Sequence, residues 1–294
     1  MKYANLHLHT NYSDGVLTPL ELCRQAKSMG YGALAITDHN TVSGWKAFRA
    51  AAEAESMTYL LGMECNILDA GRDLHIVAYD FDPAAPGIAA YIRTNEETVY
   101  RVTKARFDAC LQRGHIAGIT WQEVLEDAPE GCWICNEQVF ASLVKRTAMT
   151  QADYWPFVRG FNGTRVDVEN TVRPYTAREL IGIIRDAGGV ASLAHPHRQT
   201  QYLPELYNAG LSCVEYDHPD IDAFDAAEAK AFALSHRMYL AGGTDHTGQL
   251  SNYPEQRGDP PRVKGSAFLQ SLATDVRCGA TEEEFMALCR RVYG

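Results

Sequence analysis

The sequence predicts an α/β fold in which about seven parallel strands alternate with helices. Short apolar runs such as residues 33–36 and 190–194 are typical of buried strands, and amphipathic segments with helix-start signals lie between such runs. Several of the runs end in a histidine or a carboxylate. Because α/β enzymes bind their ligands at the carboxyl ends of parallel strands, these polar side chains are expected to meet in one site.

The first strand carries two histidines in the order His7-Leu8-His9. Successive side chains of a strand point to opposite faces, so the two imidazoles are expected on the same face. Residues 11–15 then read as a turn, which can fold Asp14 back over the end of the strand. One loop therefore offers three possible metal ligands.

The later strands repeat this arrangement, in which an apolar run ends in or contains a side chain of a metal-binding type. Only folding can bring such widely spaced groups together, so the pattern predicts a polynuclear metal site. The predicted ligands are His7, His9, Asp14, His39, Glu64, His75, His195 and Asp245, with His246 as a weaker candidate.

A structural role is the alternative explanation for each of these residues. A single histidine at a strand end is more often a hydrogen-bonded, half-buried side chain than a ligand. Here six of the ten histidines end or interrupt apolar runs, and a structural role would require several buried polar groups without a common purpose. The metal site therefore explains the pattern better. His115 and His236 lie in predicted connections and are expected to be solvated.

Helix-start signals support the alternation of strands and helices. Thr18-Pro19-Leu20-Glu21 combines an N-cap, a proline at the first helical position and a capping-box glutamate, and Gly30 is a stop signal. Thr176 and Glu179 form a second capping box. The apolar residues at positions 45, 48 and 52 also have helical spacing.

The segment from residue 87 to residue 173 interrupts the alternation. Residues 92–111 read as a long helix, Thr120 opens a second helix, and residues 139–144 read as a third. We therefore predict a barrel formed by residues 1–86 and 174–294, with a helical cap inserted at residues 87–173. Such caps often select substrates.

The formal net charge is −10 and the pI is about 5.5. An acidic surface argues against a protein that grips long nucleic acid. Divalent ions on acidic ligands would reverse the local field, so a small anionic substrate is compatible with the charge. We expect a cytoplasmic protein without a membrane partner, since no run reaches the roughly 18 apolar residues of a membrane helix and no signal peptide precedes the first strand.

The eight cysteines are scattered, mostly within apolar runs, as is ordinary in a reducing compartment. Cys132-Trp133-Ile134-Cys135 has the spacing of a redox or zinc motif. Because no second pair and no nearby histidine accompany it, core cysteines are the preferred interpretation.

Several short segments that contain the predicted ligands form a set of motifs. They are His7-Leu8-His9-Thr10, Asp14-Gly15, Ile36-Thr37-Asp38-His39, Gly62-Met63-Glu64, His75, Ala194-His195-Pro196 and Gly243-Thr244-Asp245. In these segments the chain resembles the polymerase and histidinol phosphatase (PHP) family. The resemblance implies a distorted (β/α)7 TIM-like barrel that hydrolyses phosphate esters with two or three divalent ions, usually manganese, iron or zinc.

The resemblance also implies how the ligands are shared among the ions. One ion would be held by His7, His9, Glu64 and Asp245. Glu64 would bridge to a second ion held by His75 and His195, and Asp14 and His39 would hold a third. The family usually ends with Asp-x-His, whereas His246 follows Asp245 directly. A strand-like backbone would point His246 away from Asp245, so the third ion could lack a ligand.

The expected chemistry needs no protein nucleophile. A water bridged between two divalent ions becomes a hydroxide that attacks phosphorus while the ions neutralise the phosphate oxygens. Arg198 is a candidate phosphate contact through its guanidinium, although a surface salt bridge is the alternative. His197 and His218 are candidate general acids for the leaving alcohol. Asp38 is expected to support the ligands rather than to bind an ion.

We expect a substrate that is a phosphorylated sugar cyclic phosphate of the phosphoribosyl 1,2-cyclic phosphate type. The alternative is a nucleoside 3',5'-bisphosphate 3'-phosphatase or 5'-3' oligoribonuclease, and histidinol phosphate is less favoured still. Nucleotide-directed relatives usually carry an arginine near the end of the insertion that clamps a second phosphate. None lies around residues 134–137, although Arg146 or Arg173 could substitute, and His197 replaces the small residue usual before Arg198. The oligomeric state is left open.

Two other classes of function remain possible from the sequence. The same fold can form a noncatalytic module of DNA polymerases, but lost ligands would mark such a module and this chain keeps nearly all of them. Metal-dependent amide hydrolysis or deamination is the other class. Its carboxylated lysine is not evident in any predicted strand, since Lys27 and Lys46 lie on predicted helices.

Overall fold

The computed structural model describes residues 2–150, 153–167, 175–245 and 278–293, with the side chains of 290–293 excepted. Its frame is one seven-stranded sheet in which the strands lie side by side in chain order. The strands are β1 (Ala4–Asn5), β2 (Ala33–Ile36), β3 (Thr58–Asp69), β4 (Arg72–Tyr79), β5 (Val190–Leu193), β6 (Cys213–Asp217) and β7 (Tyr239–Gly242).

The sheet curls until its first and last strands approach each other. The amide of Leu6 donates to the carbonyl of Gly242 at 3.0 Å, and the amide of Asp245 donates to the carbonyl of His7 at 3.0 Å. Helices surround the sheet, so the architecture is a distorted α/β barrel of seven strands. This confirms the predicted fold class and the predicted number of strands.

The expectation that all strands are parallel is wrong at β4. Strands β1, β2 and β3 pair in parallel, as do β5, β6 and β7, but β4 is antiparallel to both of its neighbours. A two-residue loop with positive φ at Ala70 (50°) and Gly71 (81°) turns β3 directly into β4, as in tight hairpins. Because β4 runs backwards, its first half lies beside the carboxyl ends of the parallel strands, and this places His75 at the site.

Helices occupy the predicted segments between the strands. The predicted capping boxes at Thr18 and Thr176 are formed, and the helix predicted to begin at Thr120 has a capping box as well. The helices are α1 (Pro19–Ser28), α2 (Trp45–Ala54), α3 (Pro86–Gln112), α4 (Trp121–Asp127), α5 (Asn136–Arg146), α6 (Tyr154–Asn162), α7 (Ala177–Asp186), α8 (Leu203–Ala209), α9 (Ala223–His236) and α10 (Glu282–Tyr293).

Helix α3 belongs to two hydrophobic cores. Ile88 and Tyr91, in its first half, pack into the core between the sheet and the surrounding helices. Phe107 and Cys110, in its last turns, pack with α4, α5 and α6 in a separate helical core. The helix begins six residues before the start we predicted, and the end of the predicted insertion, Arg173, lies outside the described residues. The boundaries 87–173 stay a prediction.

All eight cysteines lie in the described part of the chain and are free thiols. Seven are buried and Cys132 is half-buried. Burial raises the pKa of the thiols of Cys132 and Cys135, the opposite of what a reactive thiolate requires. Among the described helices, none has both the length and the apolar character needed to cross a bilayer.

A cluster of ion pairs joins α4 to α5. The Asp127 carboxylate is 7% exposed and accepts hydrogen bonds from Lys145 Nζ (2.5 Å), Arg146 Nε (2.6 Å) and Ser142 Oγ (2.8 Å). The hydrogen bond from Arg146 is the main cause that holds the pKa of Asp127 below its usual value. The carboxylate therefore stabilises the folded state when it is ionised.

We predict that Asp127→Asn lowers the free energy of unfolding by about 1–3 kcal/mol at pH 7, because hydrogen bonds to a charged group are lost. A depressed folded-state pKa contributes stability above the unfolded value of about 3.9, so the difference from wild type should shrink as the pH falls below that value. Urea unfolding across this pH range measures it. Asp108→Asn, which removes the exposed pair with Lys104, is the matched control. Equal losses in the two variants would contradict the prediction.

Candidate metal centre

The predicted ligands converge at the carboxyl end of the parallel strands. His7 and His9 follow β1, and the buried Leu8 between them points the other way, into the core behind β2. Reciprocal hydrogen bonds with Thr37 keep this segment extended: the Leu8 amide donates to Thr37 Oγ1 at 2.9 Å, and the Thr37 amide donates to the Leu8 carbonyl at 2.9 Å. The two imidazoles therefore share a face, with ring centroids 5.2 Å apart.

Glu64, in the middle of β3, is the centre of the cluster and is fully buried. Its Oε1 lies 2.8 Å from His75 Nδ1 and 3.1 Å from His195 Nε2. Its Oε2 lies 3.2 Å from His7 Nε2, 3.3 Å from His9 Nε2 and 3.1 Å from His39 Nδ1. Burial raises the pKa of Glu64, but the surrounding imidazoles outweigh it and hold the pKa well below the usual value. The two oxygens of the Glu64 carboxylate therefore face two groups of histidines. Oε1 faces His75 and His195, and Oε2 faces His7, His9 and His39.

Five groups of donor atoms among the described residues lie close enough to share an ion, and three of them consist of predicted ligands; the other two are His7 with Glu215 and His218, and His197 with Asp222 and Asp225. The first set is His7, His9, Glu64 and Asp245, the second is Glu64, His75 and His195, and the third is His9, Asp14 and His39. In the first set Asp245 Oδ1 is 3.0 Å from His9 Nε2, and in the third Asp14 Oδ2 is 3.7 Å from His39 Nε2. His195 and Asp245 have positive φ values of 27° and 50°, a strain that often marks functional residues.

Buried polar atoms without partners indicate that these sets suit cations. His7 Nε2, both ring nitrogens of His9, His39 Nδ1 and Glu64 Oε2 are buried and have no hydrogen-bond partner among the described residues. A buried polar atom without a partner costs about 1–3 kcal/mol. Divalent ions would supply the missing partners, and imidazole with carboxylate is a donor combination that manganese, iron and zinc accept.

The third set is the weakest. If His9 Nε2 serves the first set, its Nδ1 carries the proton and faces Asp14 Oδ1, which lies 3.2 Å away without the geometry of a hydrogen bond. Asp14 Oδ2 and His39 Nε2 are then the donors that remain. His246, the candidate for a further ligand, lies outside the described residues.

Glu215 is a supporting residue that our sequence reasoning did not identify. It is fully buried in β6, where Oε1 accepts from His7 Nδ1 at 2.9 Å and Oε2 accepts from the backbone amide of His195 at 2.7 Å. The first contact keeps the His7 proton on Nδ1 and leaves Nε2 free to face the first set. The available signal was a carboxylate inside the strand, two residues before the Asp217 that ends it.

Asp38 holds the loop that carries Asp14. Its carboxylate accepts from the amide and hydroxyl of Thr10, both at 2.7 Å, and from Ser13 Oγ at 2.6 Å. It lies behind the donor sets, where a supporting residue was expected.

The structure separates the three candidate catalytic residues. His218 is 4% exposed, and its ring lies 5.3 Å from His195 and 5.8 Å from His7. Its Nδ1 accepts from the amide of Asp220, so Nε2 carries the proton, and Nε2 has no hydrogen-bond partner among the described residues. Burial is the main cause that lowers the pKa of His218 to about 3. The ring is therefore neutral, which favours a hydrogen-bond donor over a general acid.

His197 and Arg198 lie away from the donor sets. The His197 ring is 39% exposed and faces Asp225, with Nδ1 3.1 Å from Oδ2. The Arg198 side chain is exposed and makes no ion pair within the described part of the chain, while its backbone amide donates to Asp225 at 2.7 Å. Neither side chain contacts the three sets formed by the predicted ligands, although His197 forms a separate group with Asp222 and Asp225.

The helical region forms one wall beside the centre. The indole of Trp133 lies 5.6 Å from the His39 ring, and its Nε1 is buried without a partner among the described residues. A cavity of about 530 Å³ lies next to the loop that contains Trp133. Its lining residues are Glu96, Glu97, Tyr100, Arg101, Gly131, Cys132 and Ile134. Arg146, which we considered as a phosphate clamp, is instead held by Asp127 and Glu123.

Known proteins resemble this chain in sequence and in fold. The model of the PHP domain family matches residues 5–149. A phosphoribosyl 1,2-cyclic phosphate 1,2-diphosphodiesterase of Eggerthella lenta is 27% identical over 254 residues, which is 85% of this chain and 96% of the relative. A 3',5'-nucleoside bisphosphate phosphatase of Chromobacterium violaceum is 27% identical over 269 residues, 83% and 87% of the two chains. A crystal structure of a proposed metal-dependent phosphoesterase from Bifidobacterium adolescentis shares the fold, with a TM-score of 0.75 at 22% identity over 99% of this chain and 96% of that one.

We predict that His9→Ala removes metal binding and lowers hydrolysis by at least about 100-fold, while the fold persists, because the side chain organises a site rather than the core. Metal content by mass spectrometry, circular dichroism and turnover test this together. His115→Ala, at an exposed position, is the control. A His9→Ala protein that stays active and fully loaded with metal would contradict the assignment of His9 as a metal ligand.

We predict that Glu215→Gln weakens metal binding by about 10–100-fold, since an amide cannot accept from both His7 Nδ1 and the His195 amide. Titration of the metal-free protein with Mn²⁺ measures the change. Glu284→Gln removes the carboxylate that contacts Tyr216, the next residue of β6, and should leave the affinity unchanged. Equal affinities of Glu215→Gln and wild type would show that Glu215 does not position His7.

Proposed function

This chain belongs to the PHP family of metal-dependent phosphoesterases, and on that premise we propose that it hydrolyses a small phosphate ester at the centre built around Glu64. The observation that carries the proposal is the division of the Glu64 carboxylate, whose two oxygens face two different donor sets. Divalent ions bound there would lower the pKa of a water molecule and neutralise phosphate oxygens. The chain itself supplies the ligands, their orientation and an enclosed site.

We propose two ions of the manganese, iron or zinc type. The first set has four described donors and the second has three, with Glu64 common to both. A third ion would have Asp14 and His39 as its described donors and would need further ligands from water, substrate or the rest of the chain. Two ions are therefore the minimum that the donor sets support.

His218 is our candidate for the side chain that contacts the phosphate. Its Nε2–H is buried beside His7 and His195 and lacks a partner among the described residues, so a phosphate oxygen would satisfy it. As a neutral donor it would stabilise charge that develops on the phosphate. Arg198 and His197 are weaker candidates, since their side chains lie outside the donor sets.

We propose a phosphorylated sugar cyclic phosphate as the preferred substrate. The Eggerthella lenta relative carries that activity in its name and aligns over 96% of its length. The 530 Å³ cavity next to the loop that contains Trp133 has two carboxylates in its lining, Glu96 and Glu97, which could accept hydrogen bonds from sugar hydroxyls. Arg146 forms ion pairs with Asp127 and Glu123, and this pairing also argues against Arg146 as the clamp of a second phosphate.

A nucleoside 3',5'-bisphosphate is the second candidate substrate. The Chromobacterium violaceum relative supports it, with the same identity over a similar share of the chain. The Trp133 indole beside His39 also favours it, because an aromatic face can stack on a base.

A panel of substrates decides between them. We expect the manganese-loaded protein to turn over ribose 5-phosphate 1,2-cyclic phosphate with a kcat/KM at least about tenfold above adenosine 3',5'-bisphosphate and histidinol phosphate, a difference of about 1.4 kcal/mol. Released products are identified by chromatography, and His9→Ala is the inactive control. A preference for the bisphosphate would establish the second candidate. No turnover of any ester by metal-loaded protein would contradict both.

A further inference from the structure

Two side-chain amides, the buried Asn40 and the half-buried Asn66, link helix α3 to the second donor set. Asn40 follows His39, and its Oδ1 accepts from the backbone amide of Asn66 at 3.1 Å and from the hydroxyl of Tyr91 at 2.6 Å. A backbone N–H can only donate, so the atom that it contacts must be the oxygen of the Asn40 amide. The orientation of this amide is therefore fixed by the main chain.

That orientation determines the next two contacts. Asn40 Nδ2 donates to Asn66 Oδ1 at 3.0 Å, so the nitrogen of Asn66 faces His75 Nε2, at 2.8 Å. An amide nitrogen has no lone pair to offer, and His75 Nε2 must accept. The proton of the neutral imidazole then lies on Nδ1, where it points to Glu64 Oε1 at 2.8 Å.

This arrangement opposes metal binding through His75 Nδ1, the atom that faces the second set. A bound ion needs the lone pair of Nδ1, and the proton of the neutral ring would then lie on Nε2, against the N–H of Asn66. Turning the Asn66 amide would remove this clash but would place its nitrogen against Asn40 Nδ2. Ligand histidines normally donate their second N–H to an acceptor.

The first donor set has the opposite support. His7 Nδ1 donates to the Glu215 carboxylate at 2.9 Å, and a carboxylate oxygen of Asp14 lies 3.2 Å from His9 Nδ1 without hydrogen-bond geometry. Both contacts place an acceptor opposite the ligand nitrogen, as a bound ion requires. The two sets share Glu64, but carboxylates lie behind His7 and His9, whereas the N–H of Asn66 lies 2.8 Å from His75 Nε2 and the exposed carboxylate of Asp73 is 3.8 Å from that nitrogen, beyond hydrogen-bond distance.

We infer that Asn66, held by Asn40 and Tyr91, is a positioning residue that makes the ion of the second set exchangeable while the ion of the first set is tightly held. The inference rests on the proposed metal centre. It makes activity dependent on the free concentration of the metal, because one of the two ions is lost first when the metal becomes scarce.

The decisive variant is Asn66→Asp. One oxygen of an aspartate can accept from Asn40 Nδ2 and the other from His75 Nε2–H, which supports the metal-binding form of the ring. With Mn²⁺ as the probe, we expect wild type to bind two ions with affinities that differ by at least tenfold, and Asn66→Asp to bind the weaker ion about 10–100-fold more tightly. Chelator titration followed by mass spectrometry of the metal content measures the two affinities without an activity assay.

Asn66→Ala separates the hydrogen-bond argument from the effect of added charge. Removing the opposing N–H should also tighten the weaker ion, whereas a residue that merely supports His75 would loosen it when truncated. Asn162→Asp adds the same charge next to Arg106, on the exposed surface, and should change neither affinity. Urea unfolding of each variant checks that the fold is kept.

The tautomer of His75 provides a second measurement. In metal-free protein, long-range ¹H–¹⁵N NMR should show the proton on Nδ1, and a proton on Nε2 would overturn the inference. Two equally tight ions in wild type, or weaker binding in Asn66→Ala, would overturn it and leave the metal centre standing. If wild type binds no ion at all, the proposed metal centre itself fails.

Discussion

The buried carboxylate of Glu64 is the constraint on which the rest of the structure depends. A charged group without solvent is costly unless cationic or hydrogen-bonding partners surround it. Here five imidazoles do so, and they come from segments that follow β1, β2 and β5 and from within β4. No two neighbouring elements could supply this number. A nearly closed sheet brings these four segments to the carboxylate on β3, so the barrel and the buried carboxylate require each other.

Two glycines permit close approaches of the backbone that position the ligands Glu64 and Asp245. At Gly62, β3 changes its partner from β2 to β4, and a Cβ there would lie 2.8 Å from the carbonyl oxygen of Ala78. Two residues later the chain presents Glu64. At Gly243, after β7, a Cβ would overlap the backbone of His7, so glycine allows the last strand to close against the first. That closure places Asp245 beside the two histidines of the first strand.

Sequence patterns predicted what local chemistry determines and missed what depends on distant contacts. The capping boxes and the histidines at strand ends are written in adjacent residues, and the strand count followed from apolar runs. The run that contains His75 is equally compatible with a parallel or an antiparallel strand, so the hairpin at Ala70 and Gly71 escaped notice. Glu215 looked like one polar residue in a strand. The contacts of Asn40 with Asn66 and Tyr91 span 26 and 51 positions and have no local signature.

Helix α3 contributes residues both to the core between the sheet and its surrounding helices and to the separate helical core. Its 27 residues extend about 40 Å at 1.5 Å per residue. Tyr91 touches the amides behind the second donor set, Glu96 contacts Thr41 and lines the cavity, and Phe107 anchors the helical core. If the cavity holds the organic part of the substrate, as proposed, one rigid helix contacts both that part of the substrate and the amides that support His75.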